Sequence, residues 1–424
     1  MTTSRNAGLV TLQDWLDYQL RLHPQAIALG LDRVRAVWQA LGTPCADIPS
    51  LVVAGTNGKG STVAYLEAIL RASGRRTGAY SSPHLLRYNE RVRVDGAEAG
   101  DDALIAAFAR VEAARGDIAL TYFEFGTLAA LSVFVHERVD ACVLEVGLGG
   151  RLDAVNIVDG AAAIVTTIGL DHQALLGTSR EQIAREKAGI WRAGRPAIVA
   201  EPDPPSSLLQ EAADRGAIVV RYGHDYRIAI DDDGWSWSHV DGTRFELPRP
   251  GIPGVAQHVN AAGAVAALHA VRDRLPTADT AIAQGVSRAR LRGRVERIAE
   301  RPEVVVDVAH NVQAAGMLAR WLDEQARTRT IAVFAALKDK DIEEIGRVLS
   351  RSIDGWHVAG LELETERGAS AGEASRRLGI AAAEHASVAE ALASARIDAG
   401  GDGRVIVFGS FFTVAAALRA ADAG

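Results

Sequence analysis

The sequence predicts two α/β domains, each built on a parallel β-sheet that is covered by helices. Three observations predict this class. Short apolar runs typical of buried strands alternate along the chain with stretches of helical spacing. The chain has 424 residues, enough for two or three domains of about 150 residues each. Hydrophobic residues make up 48% and charged residues 23%, the ordinary composition of a folded globular protein, which excludes disordered and collagen-like chains.

The charge and cysteine content limit the partners and the compartment. The chain has 46 basic and 53 acidic side chains, and the net charge of -7 opposes nonspecific attraction to nucleic acid or anionic membranes. We expect no secretory leader and no membrane span, because no apolar run approaches about 18 residues. Only Cys45 and Cys142 are present, which fits a reducing cytoplasm and predicts that Cys142, inside an apolar run, is a buried hydrophobe.

The first half of the chain predicts alternating strands and helices. Residues 51–54 form a short buried strand, and 61–73 have helical spacing that ends before Gly74, a suitable C-cap. Further strands are predicted at 77–81, 139–146, 161–168 and 197–200, and helices at 125–138, 180–191 and 206–213. Residues 226–247 alternate around Asp-Asp-Gly and Asp-Gly turns, which predicts an antiparallel ribbon.

The second half restarts the same alternation after an arginine-rich connector at 288–294. Two helices, 258–274 and 277–289, precede this connector. After it we predict strands at 304–308, 331–336 and 405–408, and helices at 314–326, 341–351 and 412–421. We therefore expect a first domain at 1–292 and a second at 297–424.

The strongest chemical signal is the loop between the 51–54 strand and the 61–73 helix, Gly55-Thr-Asn-Gly-Lys-Gly-Ser61. Glycines let backbone N–H groups wrap a polyphosphate, and the helix N-terminus adds positive partial charge. Lys59 would reach the outer phosphates, and a hydroxyl would face Mg²⁺. Gly60 separates the lysine from the hydroxyl residue, which departs from the usual spacing. A ligand-free turn is the alternative, but a lysine in this strand–helix setting favours nucleotide binding.

Polar residues also follow other predicted strands, at the edge where open α/β sheets build sites. Ser82, Glu145 and the Asp171-His172 pair would form a mixed oxygen–nitrogen set suited to nucleotide-bound Mg²⁺. Lys187 lies in a helical charge pattern for which a solvated face and a functional role stay equally open. Asp307-Val-Ala-His310 repeats the arrangement in the second half. Together these segments predict a nucleotide-driven enzyme with its site between the two domains.

Gly147 and Gly149 have the first spacing of a dinucleotide-binding fingerprint after a strand. Leu152 occupies the third glycine position, and residues 153–156 are predicted to form a loop, so no tight strand–turn–helix follows. The pattern therefore disfavours dinucleotide binding.

Six segments together resemble the folylpolyglutamate synthase/dihydrofolate synthase family of ATP-dependent Mur-type ligases. They are residues 55–61, 81–85, 145–153, 171–172, 186–189 and 307–311. The resemblance implies an N-terminal P-loop ATPase domain of the Mur-ligase type and a smaller C-terminal Rossmann-like α/β domain. It implies a monomeric cytoplasmic enzyme that joins L-glutamate to dihydropteroate and to the γ-carboxylate of reduced folates. ATP would form an acyl phosphate and leave as ADP.

The resemblance also assigns roles to matching residues. The nucleotide would be held by Thr56, Asn57, Gly58, Lys59, Gly60, Ser61, Asn260, Arg294 and Asp307, and two Mg²⁺ ions by Ser82, Glu145 and His172. The pteroyl substrate would contact Ala28, Leu29, Gly30, Leu31, Thr121, Tyr122, Phe123, Glu124, Leu152, Asp153 and Ala154. Lys187 matches a lysine that carries a carbamate, and would be catalytic with Lys59 and His310. Whether His310 or a metal-bound group deprotonates the glutamate amine stays open.

Three alternatives remain at this stage. The enzyme could act on folates only, as a folylpolyglutamate synthase. It could be another Mur-type ligase for a cell-wall nucleotide peptide, although the phosphate loop begins at residue 55 and leaves no room for a separate sugar-nucleotide domain. It could also be a nucleotide-binding module without catalysis, against which the complete set of ligand positions argues.

Overall fold

The computed structural model describes residues 9–25, 27–231 and 234–422, which divide into two compact units. The first unit contains Met1–Pro250 and His258–Ala289, and the second contains Gly251–Gln257 and Arg290–Gly424. Residues 1–8, where we expect no leader, lie outside the described part. Within that part, none of the helices combines the length and the apolar character needed to cross a bilayer.

The first unit alternates strands and helices as the sequence predicts. Its strands are β1 (Ser50–Ala54), β2 (Thr77–Tyr80), β3 (Val92–Val94), β4 (Ala97–Glu98), β5 (Ala141–Glu145), β6 (Ala162–Val165), β7 (Pro196–Val199), β8 (Ile218–Arg221), β9 (Tyr226–Ile230), β10 (Trp235–His239) and β11 (Arg244–Leu247). Its helices are α1 (Leu12–Leu22), α2 (Asp32–Ala40), α3 (Lys59–Ala72), α4 (Asp101–Arg115), α5 (Tyr122–His136), α6 (Gln173–Leu176), α7 (Arg180–Ala188), α8 (Ser206–Asp214), α9 (Gln257–Ala270) and α10 (Asp279–Arg288).

The main sheet of the first unit has eight strands in the order β4-β3-β2-β5-β1-β6-β7-β8. The six strands from β2 to β8 in this order are parallel, whereas β3 and β4 run antiparallel at one edge, which the sequence did not predict. All five residues of β1 are buried, and β1 pairs with β5 on one side and β6 on the other. The phosphate loop therefore leaves the interior of the sheet.

The predicted ribbon is confirmed as a separate three-stranded antiparallel sheet in the order β11-β10-β9. Trp235 and Trp237 on the central strand are both fully buried, opposite Leu247 and Phe245 on β11. Two large aromatic side chains on one face bury enough apolar surface to hold so small a sheet against its neighbours.

The second unit is a six-stranded sheet with helices. Its elements are β12 (Glu296–Glu300), β13 (Glu303–Val306), α11 (Val312–Glu324), β14 (Thr330–Phe334), α12 (Ile342–Leu349), β15 (Gly355–Ala359), α13 (Ala371–Leu378), β16 (Ala383–His385), α14 (Val388–Ala399), β17 (Arg404–Phe408) and α15 (Phe411–Asp422). The strand order is β12-β13-β17-β14-β15-β16, and only the β12–β13 pair is antiparallel. The predicted α/β class is thus confirmed in both halves.

Candidate active site

The phosphate loop connects the central strand β1 to α3. Helix α3 begins at Lys59, two residues earlier than predicted, because Gly58 serves as its N-cap with φ +84°. Ser61 and Thr62 are buried in the first turn. The Lys59 Nζ donates to the carbonyl oxygens of Gly55 at 3.0 Å and Thr56 at 3.2 Å, so its ammonium group is held over the backbone of its own loop.

Gly58 is required by two independent constraints. Its φ of +84° lies in the left-handed region, which side chains disfavour. A Cβ at this position would also lie 2.5 Å from the Oδ1 of Asn260 on α9. The buried Asn260, predicted as a nucleotide contact from a segment 200 residues away, is therefore brought to the loop.

The loop is fixed on its other side by the residues that follow β6. Thr56 N donates to the Thr167 carbonyl at 2.7 Å, and Asn57 N donates to Thr167 Oγ1 at 2.9 Å. Thr166 Oγ1 donates to the Asn57 carbonyl at 2.6 Å. These contacts preorganise the loop backbone, and the sequence gives no signal for them because the partners are about 110 residues apart.

Glu145 and Ser82 come together at the ends of β5 and β2. The Ser82 N–H donates to Glu145 Oε2 at 3.2 Å, and Glu145 is buried. Nearby, the Arg93 guanidinium pairs with Glu67 at 2.8 Å and donates to Ser81 Oγ at 3.1 Å. A buried carboxylate beside a serine is a hard-oxygen donor set of the kind that Mg²⁺ prefers.

His172 lies beside Asp171, with 4.0 Å between its Nε2 and the Asp171 Oδ1. It is the N-cap of the short helix α6 and has φ +50°, and its side chain is partly exposed. The ring is thus held at a fixed backbone position while keeping access to solvent.

Lys187 on α7 is buried, so the solvated-face alternative is wrong for this residue. Burial and, to a smaller extent, the ammonium of Lys59 lower the pKa of Lys187 to about 7, although the carboxylates of Asp171 and Asp153 act in the opposite direction. Four charged groups from four segments therefore lie within electrostatic range of one another. Helix α7 ends at Ala188, three residues before its predicted end.

Asp153 is buried at the start of a short 3₁₀ helix, Ala154–Ile157, in the segment predicted as a loop. Its carboxylate accepts from the backbone N–H groups of Leu148 at 2.9 Å and Val155 at 3.0 Å. Burial nevertheless raises the pKa of Asp153 to about 7. A carboxyl group and an amine that both titrate near neutrality are a common property of catalytic sites.

The residues predicted for the pteroyl substrate form a second group. Glu124 is buried, caps α5 through the Thr121 N–H at 2.7 Å, and pairs with Arg33 at 3.1 Å. Arg33 also donates to the Ala28 carbonyl at 2.7 Å. The Gly30 N–H donates to the Leu152 carbonyl at 3.3 Å, so the segments 28–31, 121–124 and 152–154 are brought together.

Aromatic rings lie next to this group. Phe123 is half-buried, 5.9 Å from Tyr80 by ring centroids, and its ring fills the space where Gly147 has no side chain. The half-buried Tyr122 meets Tyr88 edge-on at 5.9 Å, with the Arg91 guanidinium 5.7 Å from its centroid. Phe125 is fully buried and belongs to the core. The two partly exposed rings suit a flat heterocycle.

The second unit holds the remaining predicted residues. The Asp307 carboxylate accepts from the N–H groups of Val295 at 2.9 Å and Ala309 at 2.8 Å. Arg294 lies over the ring of Phe411, 5.4 Å from its centroid. His310 Nδ1 donates to the Val308 carbonyl at 2.8 Å, so the lone pair of the neutral ring is at Nε2.

Two residues of the site carry no signal in the amino-acid sequence. They are Thr166, which supports the loop, and Arg33 as partner of Glu124. The sequence also gives no signal for the pairing of Arg93 with Glu67 or for the packing of Arg91 against Tyr122. Each depends on a contact between distant segments, for which a single sequence carries no signal.

Two family models match the chain. The model of the Mur ligase middle domain matches residues 53–268, and that of the Mur ligase glutamate ligase domain matches residues 293–411. The first of these spans half of the chain and includes the phosphate loop, Glu145, Lys187 and Asn260. The second includes Arg294, Asp307 and His310.

Curated and solved proteins are similar over the full length. The chain is 46% identical to the dihydrofolate synthase/folylpolyglutamate synthase of Escherichia coli K12 over 413 residues, 97% of this chain and 96% of that protein. It matches the structure of E. coli FolC in complex with DHPP and ADP with a TM-score of 0.94, 45% identity and 99% of each chain covered. It also matches a bifunctional folylpolyglutamate synthase/dihydrofolate synthase with Mn, AMPPNP and L-glutamate bound, with a TM-score of 0.91, 45% identity, and 97% and 98% coverage.

Proposed function

The chain belongs to the Mur ligase family and, within it, to the dihydrofolate synthase/folylpolyglutamate synthases, and from this premise we infer that it is an ADP-forming amide ligase. It joins L-glutamate to dihydropteroate and to the γ-carboxylate of reduced folates. The observation that carries this function is full-length similarity at 46% identity to a protein of that name, together with a phosphate loop that holds Lys59 over its backbone.

Residues 56–61 would bind the triphosphate of ATP through the backbone N–H groups of the loop and the N-terminus of α3. Lys59 would exchange its two loop carbonyls for phosphate oxygens. Asn260, which faces Gly58, would meet the same nucleotide. In the second unit, Arg294 and Asp307 are proposed as further nucleotide contacts.

Ser82, Glu145 and His172 would hold the divalent metal. The donor set fits, because it combines a buried carboxylate, a serine whose backbone donates to that carboxylate, and a partly exposed imidazole. When bound, Mg²⁺ neutralises charge on the phosphate oxygens. We propose two such ions, with the loop hydroxyl of Ser61 near one of them.

A carbamate on Lys187 is the third element of the proposal. The amine nitrogen would attack the carbon of CO₂, lose one proton and become an anionic N-carboxylate. Only the neutral amine has the lone pair for this step, and a pKa of about 7 makes a large part of Lys187 neutral at physiological pH. The carbamate would replace a buried cation beside Lys59 by an oxygen ligand for the metal.

The acceptor would lie between the segments 28–31, 121–124 and 152–154, with the half-buried Tyr122 and Phe123 against its pterin rings. Asp153 is buried and titrates near neutrality, so it can pair with ring N–H donors in its ionised form. Glu124 holds this pocket together through Arg33 and its cap on α5.

The reaction must convert a carboxylate into a leaving-group ester before an amine can attack it. The acceptor carboxylate attacks the γ-phosphorus, the bond to the β-phosphate oxygen breaks, and ADP leaves. Lys59 and the N-terminus of α3 stabilise the charge on the transferred phosphoryl group. The glutamate amine then attacks the acyl carbon, phosphate leaves and an amide forms. His310, with its lone pair at Nε2, is the proposed acceptor of the amine proton.

The test is ADP release with Mg-ATP and L-glutamate, comparing dihydropteroate, tetrahydrofolate and a muramyl dipeptide nucleotide as acceptors. We expect turnover with both pteroyl acceptors, none without an acceptor, and none with the muramyl nucleotide. Turnover with tetrahydrofolate alone would restrict the enzyme to polyglutamylation. ADP release that needs neither acceptor nor glutamate would contradict the ligase assignment.

The monomeric state and the cytoplasmic location are further proposals. The cytoplasmic location is supported by the two free, buried cysteines, Cys45 and Cys142, which are consistent with a reducing compartment. Sedimentation of the purified chain would test the first, and fractionation of cells that express it would test the second.

A further inference from the structure

Two histidines and an aspartate meet where the three-stranded ribbon packs on α9. His239 ends β10, Asp241 lies in the turn to β11, and His269 is next to the last residue of α9. His239 Nδ1 lies 3.0 Å from Asp241 Oδ1, and His269 Nε2 lies 2.9 Å from Asp241 Oδ2. One ligand atom from each of the three residues lies within 4.8 Å of the other two.

The cluster is separate from the phosphate loop. His269 follows Asn260 by nine residues on α9, which is about 13.5 Å along the helix axis. Nothing in the proposed ligase mechanism uses the ribbon. The cluster therefore needs its own explanation.

Burial gives the three side chains a fixed arrangement with one open side. The side chains of His269 and His239 are only 7% and 17% exposed, whereas Asp241 is 34% exposed. Trp237 stacks on His239 with 5.9 Å between centroids and an interplanar angle of 9°, and it meets His269 at 5.3 Å. The imidazoles are thus oriented by packing, and solvent reaches the cluster on the Asp241 side.

The Asp241 carboxylate lies between the two imidazoles. One of its oxygens is 3.0 Å from His239 Nδ1, and the other is 2.9 Å from His269 Nε2. The Asp241 N–H also faces His239 Nδ1 at 3.2 Å, and the Arg272 guanidinium faces His269 Nε2 at 3.1 Å. A cation at this point would take the place of the protons that the imidazoles and the carboxylate share, and would meet three ligand atoms that are already close together.

The guanidinium of Arg272 is a positive charge that would compete with a metal ion for this position. Its Nη1 lies 3.8 Å from Asp241 Oδ2, but its side chain is 59% exposed and ends a flexible stem. It can move into solvent when another cation takes its place.

We propose that His239, Asp241 and His269 bind a divalent transition-metal ion, with Zn²⁺ as the reference ion and water completing the coordination. Two imidazole nitrogens and one carboxylate oxygen are a common zinc donor set and suit this metal better than Mg²⁺. The ion would join the β10–β11 turn to the end of α9.

The experiment is a Zn²⁺ titration of the full chain, without an affinity tag, by calorimetry in excess Mg²⁺ and ADP. Mg²⁺ and the nucleotide occupy the ligase site, so that Zn²⁺ binding there is suppressed. We expect one Zn²⁺ per chain, and at least tenfold weaker binding in His269→Asn and in Asp241→Asn. Arg272→Ala should bind Zn²⁺ more tightly than the wild type, because the competing guanidinium is gone.

The matched control is His224→Ala, which removes an exposed histidine that pairs with Asp225 near the same ribbon. This variant should bind Zn²⁺ like the wild type. Melting curves of every variant without metal show whether it is folded, and Asp241→Asn keeps the shape of the turn if a histidine variant does not fold. Equal Zn²⁺ stoichiometry and affinity in the wild type and in Asp241→Asn would overturn the proposal, as would no binding to the wild type.

Discussion

The ammonium group of Lys187 is buried within range of a second lysine, which makes its protonation costly. Its pKa is lowered from 10.5 to about 7 in the folded chain. Between these two pH values the unfolded chain binds more protons at this residue than the folded one. The folded state therefore gains stability from this group as pH rises from 7 to 10.5, by up to about 1.4 kcal/mol per pH unit.

Lys187→Met should remove this dependence of the free energy of unfolding on pH. In CO₂-free buffer we expect the variant to gain stability over the wild type near pH 7, and the gain to shrink as pH approaches 10. Urea denaturation at a series of pH values measures it. Lys338→Met, at an exposed lysine, is the control. Its free energy of unfolding should change with pH in the same way as that of the wild type. Parallel curves for Lys187→Met would show that the amine keeps an ordinary pKa.

Gly58 and Gly74 lie just outside the two ends of α3 and have nearly the same φ, +84° and +77°. An added methyl group strains both by roughly 1–2 kcal/mol. Only at Gly58 does it also collide, at 2.5 Å from Asn260, whereas the space at Gly74 is open. We expect both alanine variants to melt at lower temperature, but only Gly58→Ala to raise the KM for ATP, by tenfold or more. An equal KM change in both would mean that helix stability, not loop shape, sets nucleotide affinity.

At the scale of the elements, capping side chains decide where helices begin. The predicted helix at 125–138 begins at Tyr122 because Thr121 and Glu124 form a reciprocal capping box. Helix α3 was predicted closely, since glycines mark both of its ends. The short elements β16 and α13 were missed because β16 has only three residues, two of them exposed, and the eight residues of α13 are fewer than a periodic pattern needs to be distinctive.

Glu124 joins the cap of α5 to Arg33, so its charge has a second use besides starting the helix. Glu124→Gln keeps a side-chain acceptor for the Thr121 N–H but loses the ion pair that holds Arg33. We expect the KM for dihydropteroate to rise at least tenfold, with the KM for ATP unchanged, in steady-state assays. Asp14→Asn changes the equivalent cap at the exposed start of α1 and should leave both constants as they are. A matching loss in that control would contradict the pocket role of Glu124.

At the scale of the whole molecule, each unit has its own buried core. One core includes Trp15, Phe108 and Phe134, and the other includes Phe334, Trp356 and Phe408. Two cores favour more than one cooperative transition. We expect scanning calorimetry to give a calorimetric enthalpy above the van't Hoff enthalpy, and a single two-state transition would contradict the independence of the two cores.

We also expect AMPPNP to raise the melting temperature of the wild type but not that of Lys59→Met.

The candidate site was predictable where its residues share a local pattern and not where they meet only in the fold. The phosphate loop, the strand-end residues Ser82 and Glu145, and Lys187 all lie in short segments with recognisable chemistry. The pairing of Arg33 with Glu124 spans 91 residues, and the contact of Thr166 with Asn57 spans 109. Such contacts depend on the order of the strands in the sheet, and no short segment of the sequence determines that order.

The stack of Trp237 on His239 also gives the ribbon an optical property. Trp237 is one of seven tryptophans, and its indole ring is fully buried between aromatic neighbours on β10, β11 and α9. A paramagnetic ion such as Cu²⁺ on the adjacent imidazoles would quench the emission of this ring. The chain therefore contains an intrinsic fluorescent reporter beside His239, which needs no added label.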